Sequence, residues 1–323
     1  MEKWTKYNFA SQLFIARINC IENAEGPFFI GTDKNLILID KKNVEYFQLP
    51  YKYVSHDSLG INSLYFEKDK NVLWVGTSRR GMYMFENKEW KDVTPASFDL
   101  TDIHSGYISS ITKDVNNAIW YSHKSSLIKI VGENHIEYVL DLPEKDVKSV
   151  CESIKDIKFD SKNVGWVFSD KNLFRFENGR AEIVQIELSA AFKKKYFSFP
   201  IYGPRSLNID SKDNIWLMVE AGEGWEYYLF KYDSSKFVIY PITQTPEGFK
   251  EYYKDPQSWL IGKANMYNDD LFVATHGGGL LKFSNKKWTT LKIPKGKSIV
   301  HSMYVSSDII WMGTDNGLYY SKV

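Results

Sequence analysis

Apolar side chains in this chain come in short runs separated by turn residues, and one run recurs seven times with an aromatic at its centre. The copies are PFFIGT ending at Thr32, VLWVGT at Thr77, AIWYSH at His123, VGWVFS at Ser169, NIWLMV at Val219, DLFVAT at Thr275 and IIWMGT at Thr314. The shared aromatics, Phe29, Trp74, Trp120, Trp166, Trp216, Phe272 and Trp311, are spaced by 39 to 56 residues. A period of this length built from strand-like units is the mark of a radial β-repeat.

Each copy is followed by a turn, in most cases carrying Gly, Asn or Asp, and by a second apolar strand, as in Met82-Tyr-Met-Phe and Leu280-Leu-Lys-Phe. GTSRRG and GTDNG supply residues that tolerate the positive φ of a tight hairpin. Upstream lies a third strand with small central residues, such as Ile61-Asn-Ser-Leu64 and Ile108-Ser-Ser-Ile111. Small side chains there suit an innermost strand, where sheets crowd together. Downstream lies a more polar fourth strand, often followed by proline (VEYFQLP, EWKDVTP), as an exposed edge requires. Four strands in each of seven units predict an all-β, seven-bladed β-propeller of antiparallel blades, a single domain over 1–323. Trp74 and Gly76 share a sheet face, so the indole is expected to pack on the next blade while the glycine lets that blade approach. The seventh unit lacks a fourth strand, and Glu2-Lys-Trp-Thr-Lys-Tyr7 has that strand's pattern. The N-terminal segment, about 3–7, is therefore expected to complete the last blade and close the ring.

Composition supports a large packed core: 43% of residues are hydrophobic and 16% aromatic. Lys plus Arg (41) nearly balances Asp plus Glu (40), which leaves no electrostatic footprint for nucleic acid; Lys193-Lys194-Lys195 reads as a solvated loop. Two cysteines make neither a disulfide scaffold nor a four-cysteine zinc site. Cys20 occupies the inner-strand position held by Ser63 and Ser110, the place of a packed thiol, and Cys151 has no local His motif. No stretch approaches the roughly 20 apolar residues of a membrane span, and the N-terminus shows no secretory h-region.

GTDNGLYY, LWVGTSRRGMYMFENKEW and HGGGLLKFSNKKWTTL resemble the two-component regulator propeller repeats: apolar-Trp-x-Gly-Thr, a Gly turn, Leu-apolar-x-Phe, then Asn-Gly-x-Trp. The resemblance covers essentially the whole chain, with departures in blade 3 and at AGEGWE in blade 5. It implies the extracytoplasmic sensor region of bacterial hybrid two-component systems, many of which respond to glycans, and hence a periplasmic or extracellular location with its leader absent from this sequence. A cytoplasmic location stays open. Such sensors carry two propellers, a further β-domain, a membrane helix and a kinase, of which one propeller is present here.

Propellers gather ligands where loops converge about the axis. On one face the turns after the second strands contribute Arg79, Arg80, His123, Trp225 and His276. Loops leading into the inner strands contribute His104, Tyr107, Tyr202, Arg205 and Trp259. Aromatic faces with Arg and His donors suit a polar ring-shaped ligand such as a sugar. Two long loops, about Glu187 to Arg205 and Thr243 to Trp259, are further candidates. No catalytic residue, cofactor site or metal-ligand spacing is legible; His276-Gly-Gly-Gly279 reads as a hairpin turn, since no G-x-S-x-G elbow accompanies it. The expectation is a non-enzymatic module that binds a carbohydrate-like molecule or a partner protein. The alternatives are a propeller lyase using an axial His and a metal, or an interaction scaffold.

Overall fold

The computed structural model describes residues 4–7, 17–23, 26–41, 43–50, 60–98, 107–140, 153–169, 172–185, 202–221, 226–242, 261–275, 279–291, 300–306, 308–314 and 317–322. Their strands form seven four-stranded antiparallel sheets. The inner strands are Ile18–Asn23, Ile61–Glu67, Ile111–Lys113, Ile154–Phe159, Tyr202–Ile209, Ile261–Tyr267 and Val300–Ser306 for blades 1 to 7. Each neighbours the next round the ring, and blade 7 meets blade 1.

Ring closure follows the expectation. Thr5–Lys6 is the outer strand of blade 7, with Thr5 opposite Tyr320 and Lys6 opposite Tyr319, and the Tyr7 amide donates to the Leu318 carbonyl at 2.9 Å. Trp4 packs against the core between blades 6 and 7, and Tyr7 against that between blades 7 and 1.

The hydrophobic core is divided into seven wedges, each shared by adjacent blades. Trp74 lies with Ile108, Ile119 and Tyr121 of blade 3, Trp120 with Ile154, Val167 and Phe174 of blade 4, and Trp166 with Leu217 and Phe230 of blade 5. The glycine two positions after the aromatic explains the closeness of approach. A Cβ on Gly76 would lie 2.6 Å from Cγ2 of Ile108 in the next blade. Burying an aromatic of this size contributes about 4–6 kcal/mol at 25 cal/mol per Å².

A second device, absent from the aromatic pattern, fixes the turn from the inner strand into the second strand. Asp160 Oδ1 accepts from the Lys162 and Val164 amides at 3.0 and 2.9 Å, while its Oδ2 accepts from Trp166 Nε1 at 3.0 Å. Asp114 does the same for Trp120, and Asp210 for Trp216; in blade 2 the acceptor is Glu67, at 3.1 Å from Trp74 Nε1. These turns are tied from blade to blade. Ser161 donates its amide and hydroxyl to Asp213 at 2.9 and 2.5 Å, and Ser211 does so to Asp269 at 2.8 and 2.6 Å. The Val115 amide reaches Asn163 Oδ1 at 3.1 Å. The three acceptors sit at φ of 60° to 65°, a conformation Asn and Asp adopt more readily than other side chains.

Deleting residues 1–8 should lower unfolding free energy by about 3 kcal/mol, the scale of two partly buried aromatics, measured by urea denaturation. Asp160→Ala should cost about 3 kcal/mol because it strands two amides and a buried indole; Asp160→Asn, which keeps an acceptor, should cost less.

Candidate functional site

Strand polarity places the turns after the second strands and the entrances to the inner strands on one face. Hydrogen bonds join them directly. The Ser78 amide donates to the Gly60 carbonyl at 2.9 Å, the Ile108 amide to Thr77 at 2.9 Å and the Ile154 amide to Lys124 at 2.9 Å. The blade 2 turn is held by Thr77, whose Oγ1 accepts from the Arg80 amide at 2.8 Å and donates to the Gly81 carbonyl at 3.0 Å. Arg79 and Arg80 are half-buried there. The Thr77–Ile108 bond sets Tyr107, 41% exposed, beside that turn. The backbone thus brings Arg79, Arg80 and Tyr107 together.

His123 is different: only 8% exposed, its ring stacks on Phe98 with centroids 3.6 Å apart and planes at 11°. It is packed beneath the face. Tyr202 and Arg205, expected in a loop, belong instead to the inner strand of blade 5, Tyr202–Ile209. That strand extends upward through an irregular pairing, Tyr202 opposite Glu220 and Ser206 opposite Met218. His104, Trp225, Trp259 and His276 lie outside the described residues, as do most of the two long loops. Thr275 pairs with Gly279 as the expected hairpin requires, while 276–278 lie outside the described residues. Among the described residues no group of three or more His, Cys, Asp or Glu is placed to hold a metal ion.

The inner strands enclose an axial cavity of about 210 Å³. Small inner-strand residues bond across blades: Ser63 Oγ donates to Ile108 O at 3.1 Å, Ser302 Oγ to Ile18 O at 3.1 Å, and Cys20 Sγ approaches Ile61 O at 3.7 Å. Burial pushes the Cys20 thiol up to about 12, which keeps it un-ionised and confirms its packing role. Polar and charged side chains also line the cavity, including Asn62, Lys155, Asp156, Lys158 and Lys263. None of these was singled out from the sequence; the only signal was charge at positions where other blades carry Ser or Asn.

Glu22 stands near this lumen, its carboxyl accepting from the Phe66 amide. Burial pushes it up to about 8, more than the Phe66 bond and Lys158 pull it down.

No protein-family model matches the chain, and no curated protein matches it. Solved structures do. Virginiamycin B lyase from Staphylococcus aureus, solved in a catalytically inactive form with quinupristin, is 15% identical with a TM-score of 0.74, each chain covered over 100%. The likeness fixes the fold. The extracellular domains of two putative hybrid two-component systems from B. thetaiotaomicron give TM-scores of 0.68 and 0.65 at 15% identity, over 100% and 99% of this chain. The chain spans only 40% and 41% of those domains. The resemblance read from the repeats thus has a structural counterpart among extracellular domains of hybrid two-component systems.

Because Glu22 has a higher pKa folded than unfolded, the folded state binds a proton. Its contribution is full below about 4.5 and is lost as pH rises through about 8. Glu22→Gln should therefore be more stable than the parent by about 1 kcal/mol or more on the alkaline side of 8. The gap should close on acidification, read from urea midpoints across the pH range.

Proposed function

We propose that this propeller is a non-enzymatic recognition module of an extracytoplasmic sensor, binding a carbohydrate-like ligand on the face that carries the Arg79–Arg80 turn and Tyr107. The observation that carries this reading is the convergence of that turn with the entrance to blade 3 through the Thr77–Ile108 bond. Two guanidinium groups beside an exposed aromatic offer donors for hydroxyl oxygens and an apolar plane for a sugar ring. Arg205, Trp225 and Trp259 extend the same surface in this reading, and a glycan or a partner protein presenting one would lie across it. The likeness to extracellular domains of hybrid two-component systems supports a periplasmic or extracellular location. No helix among the described residues is long and apolar enough to cross a membrane.

A second reading has one observation in its favour, the full-length likeness to virginiamycin B lyase. In it, His104 or His276 would act near the axis with a metal. Turnover abolished by substitution of either histidine would establish that reading over the first.

A thermal-shift panel of oligosaccharides should reveal a saturable stabilisation, about 2.7 kcal/mol when the ligand is at a hundred times its Kd. Arg79→Ala, Arg205→Ala and Trp225→Ala should each weaken it. Tight capture of a protein partner with no response to any glycan would replace the sugar reading with a scaffold.

A further inference from the structure

We infer that the axial cavity binds a small multivalent oxyanion, such as inorganic phosphate or a short polycarboxylate, through Lys155, Lys158 and Lys263 with Asn62 as an additional donor. This is separate from the sugar-binding face proposed above. At about 210 Å³ the cavity is smaller than the usual pocket for a drug-sized ligand, ~300 Å³ upward, and suits one compact anion.

Position by position, the lysines stand where other blades place structural groups. Cys20, Ser63 and Ser302 lie opposite Gly31, Gly76 and Gly313 and turn their thiol or hydroxyl to the next blade. In blade 6 the same position, opposite Ala274, is Lys263, an exposed side chain on the cavity wall. Lys158 lies opposite Trp166, where blades 5 and 6 have Asn208 and Asn265. Those amides bond to the Ala264 and Met303 carbonyls of the following blades, at 3.4 Å each. Neither lysine repeats the inter-blade bond of its counterparts. Lys155, whose Nζ donates to Ser153 Oγ at 2.7 Å, lines the same cavity.

The negative groups nearby offset only part of this charge: three lysines line the cavity against one aspartate, Asp156. Asp156 Oδ1 is taken up in the wall by Ser110 Oγ and the Ile157 amide, at 2.8 and 2.9 Å. Burial pushes the Glu22 carboxyl up to about 8, which lessens its negative charge at neutral pH. Among the described residues no carboxylate closes an ion pair with Lys158 or Lys263. Positive charge therefore accumulates on the axis of a chain whose formal net charge is only +1. Asn62 Nδ2 is buried and lacks a hydrogen-bond partner in the structure. The three ammonium groups can only donate, and Asn62 Nδ2 adds a further donor, so the complementary guest is an anion rich in acceptor oxygens. Charge-assisted bonds in a confined space are the strong ones.

Isothermal titration with sodium phosphate, and separately citrate, at neutral pH and low ionic strength should give saturable binding of one anion per chain. Lys263→Ser and Lys158→Asn each install the residue that other blades use at that position, so the ring should still fold and melt cooperatively. Each should weaken binding about tenfold, equivalent to 1.4 kcal/mol. Lys286→Ser, on an outer hairpin, should bind as the parent does. At a phosphate concentration near the parent's Kd, the rise in melting temperature should be much smaller in Lys263→Ser than in the parent or Lys286→Ser. Absence of saturable heat with both anions, or equal affinity in the parent and both cavity variants, would overturn the assignment. Equal weakening in Lys286→Ser would overturn it as well, by tracing the effect to general surface charge.

Discussion

The ring depends on how closely each blade can approach the next, and at three of its seven joints that is set by the glycine two residues after the blade aromatic. Trp74 fills the wedge between blades 2 and 3 only because Gly76 has no Cβ to hold Ile108 off. Gly31 and Gly313 stand equally close to Ile61 and Ile18 of the following blades. Close-packed interiors do not absorb such volume elsewhere, so the spacing of the sheets is set by these small residues. Seven inter-blade wedges, three of them with this glycine, bring the sheets back to their starting point, and pairing of Thr5–Lys6 with Tyr319 and Tyr320 fastens the ends.

The fold was legible because the joints recur in the chain as a period of aromatic, turn and apolar strand, with the glycine present in three of the seven copies. The missing fourth strand of blade 7 was legible for the same reason, since Trp4 and Trp288 occupy equivalent patterns. The aspartate turn was written too, as Asp114, Asp160 and Asp210 each six residues before a tryptophan. Its meaning, a carboxylate holding two amides and an indole, emerges only with the geometry of Asp160.

The interior of the axis was far less legible. Pairing shifts between the first and third residues in the inner strands of blades 1, 2, 4, 6 and 7, as between Ile154 and Asp156 or Ile261 and Lys263. One unpaired residue reverses the facing of whatever follows, so alternation counted from Ile154 misassigns the faces beyond it. Tyr202 and Arg205 were misplaced for a related reason, because the blade 5 strand begins earlier and pairs less regularly than the repeat suggests. His123 shows a different limit. Its position at a turn is evident from sequence, but its cover, Phe98, comes from a separate segment.

The serine-to-aspartate ties between successive turns have a mechanical consequence. They lie on the rim away from the Arg79–Arg80 turn and link blades 3, 4, 5 and 6 through side chains of fixed covalent length. The Ser161 hydroxyl and amide hold the Asp213 carboxyl below its ordinary range, as Ser211 does for Asp269, so the ties are made at neutral pH. They act as a belt against hoop tension. A guest that spread the blades would have to stretch this belt at one rim, and at the opposite rim the backbone bonds from Ile108 to Thr77 and from Ile154 to Lys124. Blades 3 and 4 are thus laced at both rims, and dilation of the ring along that arc is resisted at top and bottom alike.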